Sequence, residues 1–170
     1  MKIVLIGMPG SGKTTIGKRL AHTLGVQFFD TDDLIENKYH TDISTLFAKY
    51  GEPAFRKLEH ETLLEILLLD NYVLATGGGL PCFHGNIDII NQTALSFYIQ
   101  IPLKMLVYRL LAAKKKRPLI VNKDAEELYI LLEKTYSERI KYYQKAHHTI
   151  EPNTENTVLL IQNIINQKKE

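Results

Sequence analysis

Residues Gly7 to Thr14 read GMPGSGKT, between the apolar run Ile3-Val4-Leu5-Ile6 and a helical pattern. A strand that empties into such a loop turns successive backbone N–H groups around the phosphates of a nucleotide. Lys13 then reaches the β- and γ-phosphates, and the Thr14 hydroxyl faces Mg²⁺. The helix that begins there adds its positive end to the anion site. With the strand before it and the helix after it, nucleoside triphosphate binding is a better reading than an incidental glycine-rich turn.

In an open parallel sheet, ligands gather beyond the carboxyl ends of the strands. Two further segments are expected there: Asp30-Thr31-Asp32 after a second strand, and Gly77-Gly78-Gly79 after a third. Mg²⁺ takes oxygen ligands and keeps several waters, so Thr14 plus one carboxylate suffices. Asp30, at the strand end, is the metal-side candidate. Asp32, on the first turn of the next helix, suits a place beside an acceptor hydroxyl. Each aspartate alone reads as a helix cap or N-terminal charge; their shared strand-end position favours the site for the pair. Three glycines after a buried strand mark a close approach of backbone to ligand more often than a loop of unusual torsions.

Three arginines leave alternatives open. Glu52 and Glu59 stand four before and three after Arg56, so a surface ion-pair ladder explains it as well as a ligand does. Arg139 shares a helix face with Leu132, Thr135 and Tyr143, and a guanidinium there needs an anion, from a glutamate or from a substrate carboxylate. Arg117 follows Lys114-Lys115-Lys116 in a segment without hydrophobic period. It reads as a solvated charge run, a nucleic-acid patch, or the arginine of a mobile lid over a transferring phosphoryl group. The six histidines lack ligand-like spacing, and Cys82 beside Pro81 reads as packing.

The elements that must position these residues alternate short apolar runs with helical patterns, the mark of a parallel sheet covered on both faces. Strands are expected at Lys2–Ile6, Gln27–Phe29, Tyr72–Ala75, Leu95–Ile101 and His148–Ile150. Ile16, Leu20 and Leu24 pattern the first helix, which stops at Gly25. Thr31 is expected to cap the second. Ile43 to Tyr50 form a third that Gly51 closes, and Glu52-Pro53 restarts a helix to about Leu69. Further helices follow Pro102, run from Asp124 to about Lys145, and include Val158, Ile161 and Ile165. The 170 residues suit one domain, 1–170, with a sizeable core, and 45% hydrophobic against 24% charged residues is an ordinary globular balance. A net charge of +2 is too small to argue for nucleic acid or membrane as the main partner. One cysteine excludes an internal disulfide, and a strand almost at the N-terminus leaves no room for a signal peptide, so a cytoplasmic location is expected.

Together the stretches GMPGSGKTTIGKRLA (7–21), DTDDLIE (30–36), ISTLFAKYGEPAFRKLE (43–59), ATGGG (75–79), RPLI (117–120) and RIKYYQKA (139–146) resemble the shikimate kinase family. GSGKT alone belongs to many kinases; the DTD, the GE-x-x-FR-x-x-E, the triple glycine and the late R-x-x-x-Y are far more selective. The resemblance implies an α/β P-loop NTPase of nucleoside-monophosphate-kinase type, with a five-stranded parallel sheet in the order 2-3-1-4-5 and a lid at about 112–122. It implies transfer of the ATP γ-phosphoryl to the 3-hydroxyl of shikimate, in aromatic amino-acid biosynthesis, by a monomer. Gly10, Ser11, Gly12, Lys13, Thr14, Thr15 and Arg117 would contact ATP. Thr14 and Asp30 would serve Mg²⁺, and Asp32, Arg56, Gly78, Gly79 and Arg139 would hold shikimate. Lys13, Asp32 and Arg117 would carry catalysis, with Asp32 acting as base or as orienting group. Two rivals remain from the residues alone: another P-loop kinase, with gluconate or a nucleoside monophosphate as acceptor, and a nucleotide-binding regulatory module without catalysis.

Overall fold

Each strand owes its place to a short apolar run. In the computed structural model, which describes residues 1–113, 124–152 and 156–167, they are β1 (Lys2–Ile6), β2 (Gln27–Asp30), β3 (Tyr72–Ala75), β4 (Leu95–Ile99) and β5 (His148–Ile150). All neighbours pair in parallel, in the order β2-β3-β1-β4-β5 that the resemblance implies. Ile3 to Ile6 are wholly buried, as an apolar strand covered on both faces must be. Register then aligns the strand tips. Asp30 lies beside Ala75, and Ala75 beside Leu5, so the loops after β1, β2 and β3 leave from one edge of the sheet.

The helices are α1 (Lys13–Leu24), α2 (Thr31–Tyr39), α3 (Ile43–Leu67), α4 (Asn86–Thr93), α5 (Leu103–Ala112), α6 (Ala125–Tyr143) and α7 (Thr157–Gln167). Gly25, left-handed at φ 66°, ends α1 where expected. α3 bends at Gly51 (φ 76°, ψ 170°), so the expected close and restart are two helical pieces about one kink. A capping box of Asp124 and Glu127 starts α6. The core gathers β1, β3 and β4 with Leu20, Leu63, Ile90, Leu106, Leu132 and Ile161. A smaller cluster of Ile35, Leu46 and Phe55 lies between α2 and α3.

Three expectations need correction. The cap of α2 is Asp30, whose carboxylate accepts from the Asp32 amide; Thr31 instead accepts the amide of Gly77 at 2.8 Å. A carboxylate one residue earlier wins the cap, and the freed hydroxyl ties α2 to the glycine segment. β4 ends at Ile99, two residues before Ile101, as the chain turns toward Pro102 and α5. A 3-10 turn at Leu80–Cys82 and the eight-residue α4 were not expected, being too short to display a period. The lid expected at 112–122 begins with Ala112, the last residue of α5, and Ala113; residues 114–122, Arg117 among them, lie outside the described residues. No described helix is long and apolar enough to cross a membrane.

Candidate active site

The loop after β1 and the start of α1 form one wall of a cavity of about 550 Å³. Gly10, Ser11, Gly12, Lys13, Thr14 and Thr15 all line it, with Asp30, Asp32, Thr76, Arg109 and Pro152. Lys13 is 7% exposed, and its Nζ donates to the carbonyls of Gly7 and Met8, each at 2.9 Å. The loop thus wraps a buried ammonium and holds its charge where phosphates would lie. The Thr14 hydroxyl donates to Asp30 Oδ2 at 2.7 Å, while Asp30 Oδ1 accepts the Asp32 amide at 3.0 Å. One oxygen of Asp30 therefore caps α2 and the other meets Thr14, so the two readings of this residue are compatible. A hydroxyl and one carboxylate, rather than a cage, are a donor set that fits Mg²⁺ with its retained waters. Among the described residues no group of three or more His, Cys, Asp or Glu is arranged to hold a metal.

Arg109 lines the same cavity and was not anticipated. Its Nη1 reaches the carbonyls of Gly10 and Ser11 at 3.5 and 3.4 Å. In sequence it is one basic residue in the last turn of an apolar helix, where a cation is ordinary, so no local signal marks it.

A second cavity, of about 950 Å³, is lined by Asp32, Arg56, Glu59, Gly77, Gly78, Gly79 and Arg139, with Phe47, Phe55 and Leu128. The two cavities share Thr14, Asp30, Asp32 and Leu110. A phosphate-binding loop and an arginine-bearing chamber thus meet at a hydroxyl and two carboxylates. All five residues expected to hold an acceptor are in this chamber, and all six expected from the loop are in the other.

The ion-pair ladder foreseen for Arg56 exists, but Arg56 and Glu59 are buried in it and only Glu52 reaches the surface. Arg56 is 7% exposed; Nη1 donates to Glu59 at 2.7 Å, Nη2 to Glu52 at 2.8 Å, and the Phe83 ring centroid lies 4.4 Å from Cζ. Burial and the two carboxylates fix the guanidinium from three sides. Arg139 joins the chamber from α6, half-buried. Glu59 is a site residue that sequence reasoning passed over as a ladder partner. It is 2% exposed, and burial pushes its carboxyl up to about 7 although Arg56 pulls the other way.

That shift has a consequence for stability. A carboxyl raised from 4.5 toward 7 binds its proton more tightly in the folded state, so Glu59 favours folding below the ordinary carboxylate range. The contribution, about 3 kcal/mol at most, is lost as pH rises through 7. The stability advantage of wild type over Glu59→Gln should therefore shrink between about pH 5 and pH 8. Urea denaturation across that range measures it; a constant difference would show that Glu59 ionises as it does in the unfolded chain.

The glycine segment completes the chamber. A methyl on Gly77 would lie 2.7 Å from Asp32 Oδ1 and 2.8 Å from Glu59 Oε1, and one on Gly79 would lie 2.7 Å from Arg56 Cζ. Only a backbone without side chains fits so close to these groups. Among the described residues, the amides of Gly78 and Gly79 find no protein acceptor, while the Gly77 and Gly79 carbonyls accept from Leu80 and Cys82. Two donors are thus left for a ligand. Cys82 stands apart from this chemistry: burial pushes its thiol up to about 11, so it stays protonated at neutral pH.

Comparison with known proteins gives the family. A family model described as shikimate kinase matches residues 9–169. A shikimate kinase of Parabacteroides distasonis is 36% identical over 150 residues, covering 88% of this chain and 87% of the relative. The crystal structure of shikimate kinase from Bacteroides thetaiotaomicron superposes with a TM-score of 0.94 at 33% identity, covering 98% of both chains. The shikimate kinase of Acinetobacter baumannii in complex with shikimate gives a TM-score of 0.85 at 35% identity, over 98% of this chain and 91% of the other. The family model spans most of the chain and these relatives are covered over most of their own length, so the chain belongs to the shikimate kinase family.

Proposed function

We propose that this chain transfers the γ-phosphoryl group of ATP to the 3-hydroxyl of shikimate, giving shikimate 3-phosphate and ADP, as a step of aromatic amino-acid biosynthesis. The observation that carries the reading is the junction of the two cavities at Thr14, Asp30 and Asp32. ATP phosphates would occupy the loop of Gly10, Ser11, Gly12, Lys13, Thr14 and Thr15. The planar guanidinium of Arg109 lies on that cavity and suits the face of a base. Mg²⁺, held by Thr14 and Asp30, would neutralise charge on the β- and γ-phosphates. Arg117 is assigned to the phosphates by family resemblance.

Shikimate carries one carboxylate and several hydroxyls. Arg56 and Arg139 reach the chamber from different helices and can grip the carboxylate with charge-assisted bonds. The amides of Gly78 and Gly79 add donors, and Asp32 accepts from ring hydroxyls beside the phosphate loop. The acceptor oxygen then forms its bond to phosphorus as the bond to the ADP oxygen breaks, and the hydroxyl proton leaves toward Asp32. Catalysis here rests on positioning and charge stabilisation more than on basicity. We expect a monomer working in the cytoplasm, and the small net charge gives no ground for nucleic acid or an anionic membrane as a main partner.

The test is a coupled ADP-release assay run separately with shikimate, gluconate and nucleoside monophosphates, with Mg²⁺ and with chelator. Release is expected with shikimate and Mg²⁺ alone. Preference for another acceptor would redirect the reading, and ATP binding with no acceptor-dependent release would make the chain a binding module. In the same assay Arg139→Ala should raise the shikimate KM about tenfold to a hundredfold with the ATP KM spared, the scale of one lost charge-assisted bond. An unmoved shikimate KM would take Arg139 out of the grip.

A further inference from the structure

The segment Gly77 to Gly79 has no side chains of its own with which to keep a shape, and the Leu80-Pro81-Cys82 that follows is not accounted for by the transfer chemistry. Three buried side chains from three helices hold it instead. Thr31 of α2 accepts the Gly77 amide at 2.8 Å, Tyr143 of α6 donates its hydroxyl to the Gly78 carbonyl at 2.6 Å, and Asn86 of α4 donates Nδ2 to the Leu80 carbonyl at 2.8 Å. None of the three has any exposed surface.

Peptide planarity gives the Tyr143 bond its consequence. The Gly78 carbonyl and the Gly79 N–H belong to one trans peptide unit and point in opposite directions. A donor that fixes the carbonyl therefore aims the amide, and the Gly79 amide is one of the two donors without a protein acceptor. Tyr143 is itself rigid: its ring stacks on Tyr98 of β4, centroids 5.2 Å apart and planes at 27°. It also stands one helical turn beyond Arg139, so a single helix places the guanidinium and sets the angle of the peptide. Asn86 fixes the far end. Its Oδ1 meets His60 Nδ1 at 2.6 Å, and His60 lies one turn beyond Arg56 on α3. Because an amide oxygen only accepts, that short contact requires the proton on Nδ1. Each arginine-bearing helix thus carries, one turn on, a residue that steadies the glycine segment, directly for Tyr143 and through Asn86 for His60.

Resting on the acceptor role proposed above for Gly79, we propose that Tyr143 and the Asn86–His60 pair are positioning residues for the phosphoryl acceptor, which they serve by holding the carbonyls of Gly78 and Leu80 so that the Gly79 amide faces the chamber.

The experiment compares wild type, Tyr143→Phe, Tyr98→Phe and Arg139→Ala in steady-state kinetics with shikimate and ATP varied in turn, alongside thermal melting. Tyr98→Phe removes a buried hydroxyl from the same stacked pair, one that bonds Tyr136, and so reports what structural loss alone does. Tyr143→Phe is expected to raise the shikimate KM about fivefold to twentyfold and leave the ATP KM within about twofold, the scale of a misaimed donor. Tyr98→Phe should lower Tm without moving either KM. An unchanged shikimate KM in Tyr143→Phe, or an equal rise in Tyr98→Phe, overturns the positioning role. If Arg139→Ala leaves the shikimate KM unmoved, the acceptor reading fails, and the positioning role with it; a rise in Arg139→Ala without one in Tyr143→Phe sinks the positioning role alone. Should Tyr143→Phe not fold, His60→Ala decides from a half-exposed position: a rise of about threefold in shikimate KM alone supports the role, and none overturns it.

Discussion

Replacing Lys13 by alanine is expected to lower kcat by about a hundredfold to a thousandfold, with a smaller change in the ATP KM. The ammonium is held in the loop by the Gly7 and Met8 carbonyls at 2.9 Å, with Ser11 Oγ at 3.4 Å, so its charge is in place before any nucleotide arrives. In phosphoryl transfer negative charge shifts toward the leaving oxygens, and a preorganised cation there stabilises the transition state more than the ground state. Loss of one such group typically costs about 3–4 kcal/mol of barrier, hence the expected loss in turnover. Stability should fall as well, because truncation strips two buried carbonyls of their donor. Lys13→Met keeps the aliphatic stem and separates packing from charge. Steady-state kinetics on both variants are the check: normal turnover in either would remove Lys13 from the phosphates.

Gly79→Ala should cut kcat/KM for shikimate by about a hundredfold or more while the ATP KM holds. The added methyl would sit 2.7 Å from Cζ and 2.8 Å from Nη2 of Arg56. A flexible side chain ordinarily swings aside from such a clash. This guanidinium is tied to Glu59 at 2.7 Å and to Glu52 at 2.8 Å and lies against Phe83, so it cannot yield without breaking an ion pair of which Glu59 is 2% exposed. Either Arg56 leaves its place or the Gly79 peptide does, and each removes a charge-assisted or amide contact to the acceptor. Two such losses, at about 1.5–3 kcal/mol for a bond to a charged group, set the scale. Shikimate titration by calorimetry would measure the binding part directly; wild-type affinity in Gly79→Ala would mean that the chamber holds the acceptor elsewhere.

The strands and the arginine chamber of this chain were legible to different depths. β1, β3 and β5 and the stop at Gly25 follow from apolar runs and turn residues within a few positions, and the tips of β1, β2 and β3 converge because parallel strands end on one edge. That is why Lys13, Thr14, Asp30 and Asp32 can be grouped from their order along the chain. Arg56 is the counter-example. Its spacing to Glu52 and Glu59 describes an exposed ladder and a buried clamp equally well, since nothing local records that Phe83 will cover it.

Arg109, the burial of Glu59, the exchange of the α2 cap from Thr31 to Asp30, and the hold of Tyr143 on Gly78 were likewise out of reach. The last joins residues 65 apart in the chain, and the Thr31 contact joins residues 46 apart. Periodicity and capping report on neighbours within a turn or two, so the order of residues along the chain established the strands, their common edge and the chemistry gathered there. Which charges lost their water, and which carbonyls acquired a distant donor, was settled by packing, because desolvation and hydrogen-bond direction depend on segments that meet only once the chain has folded.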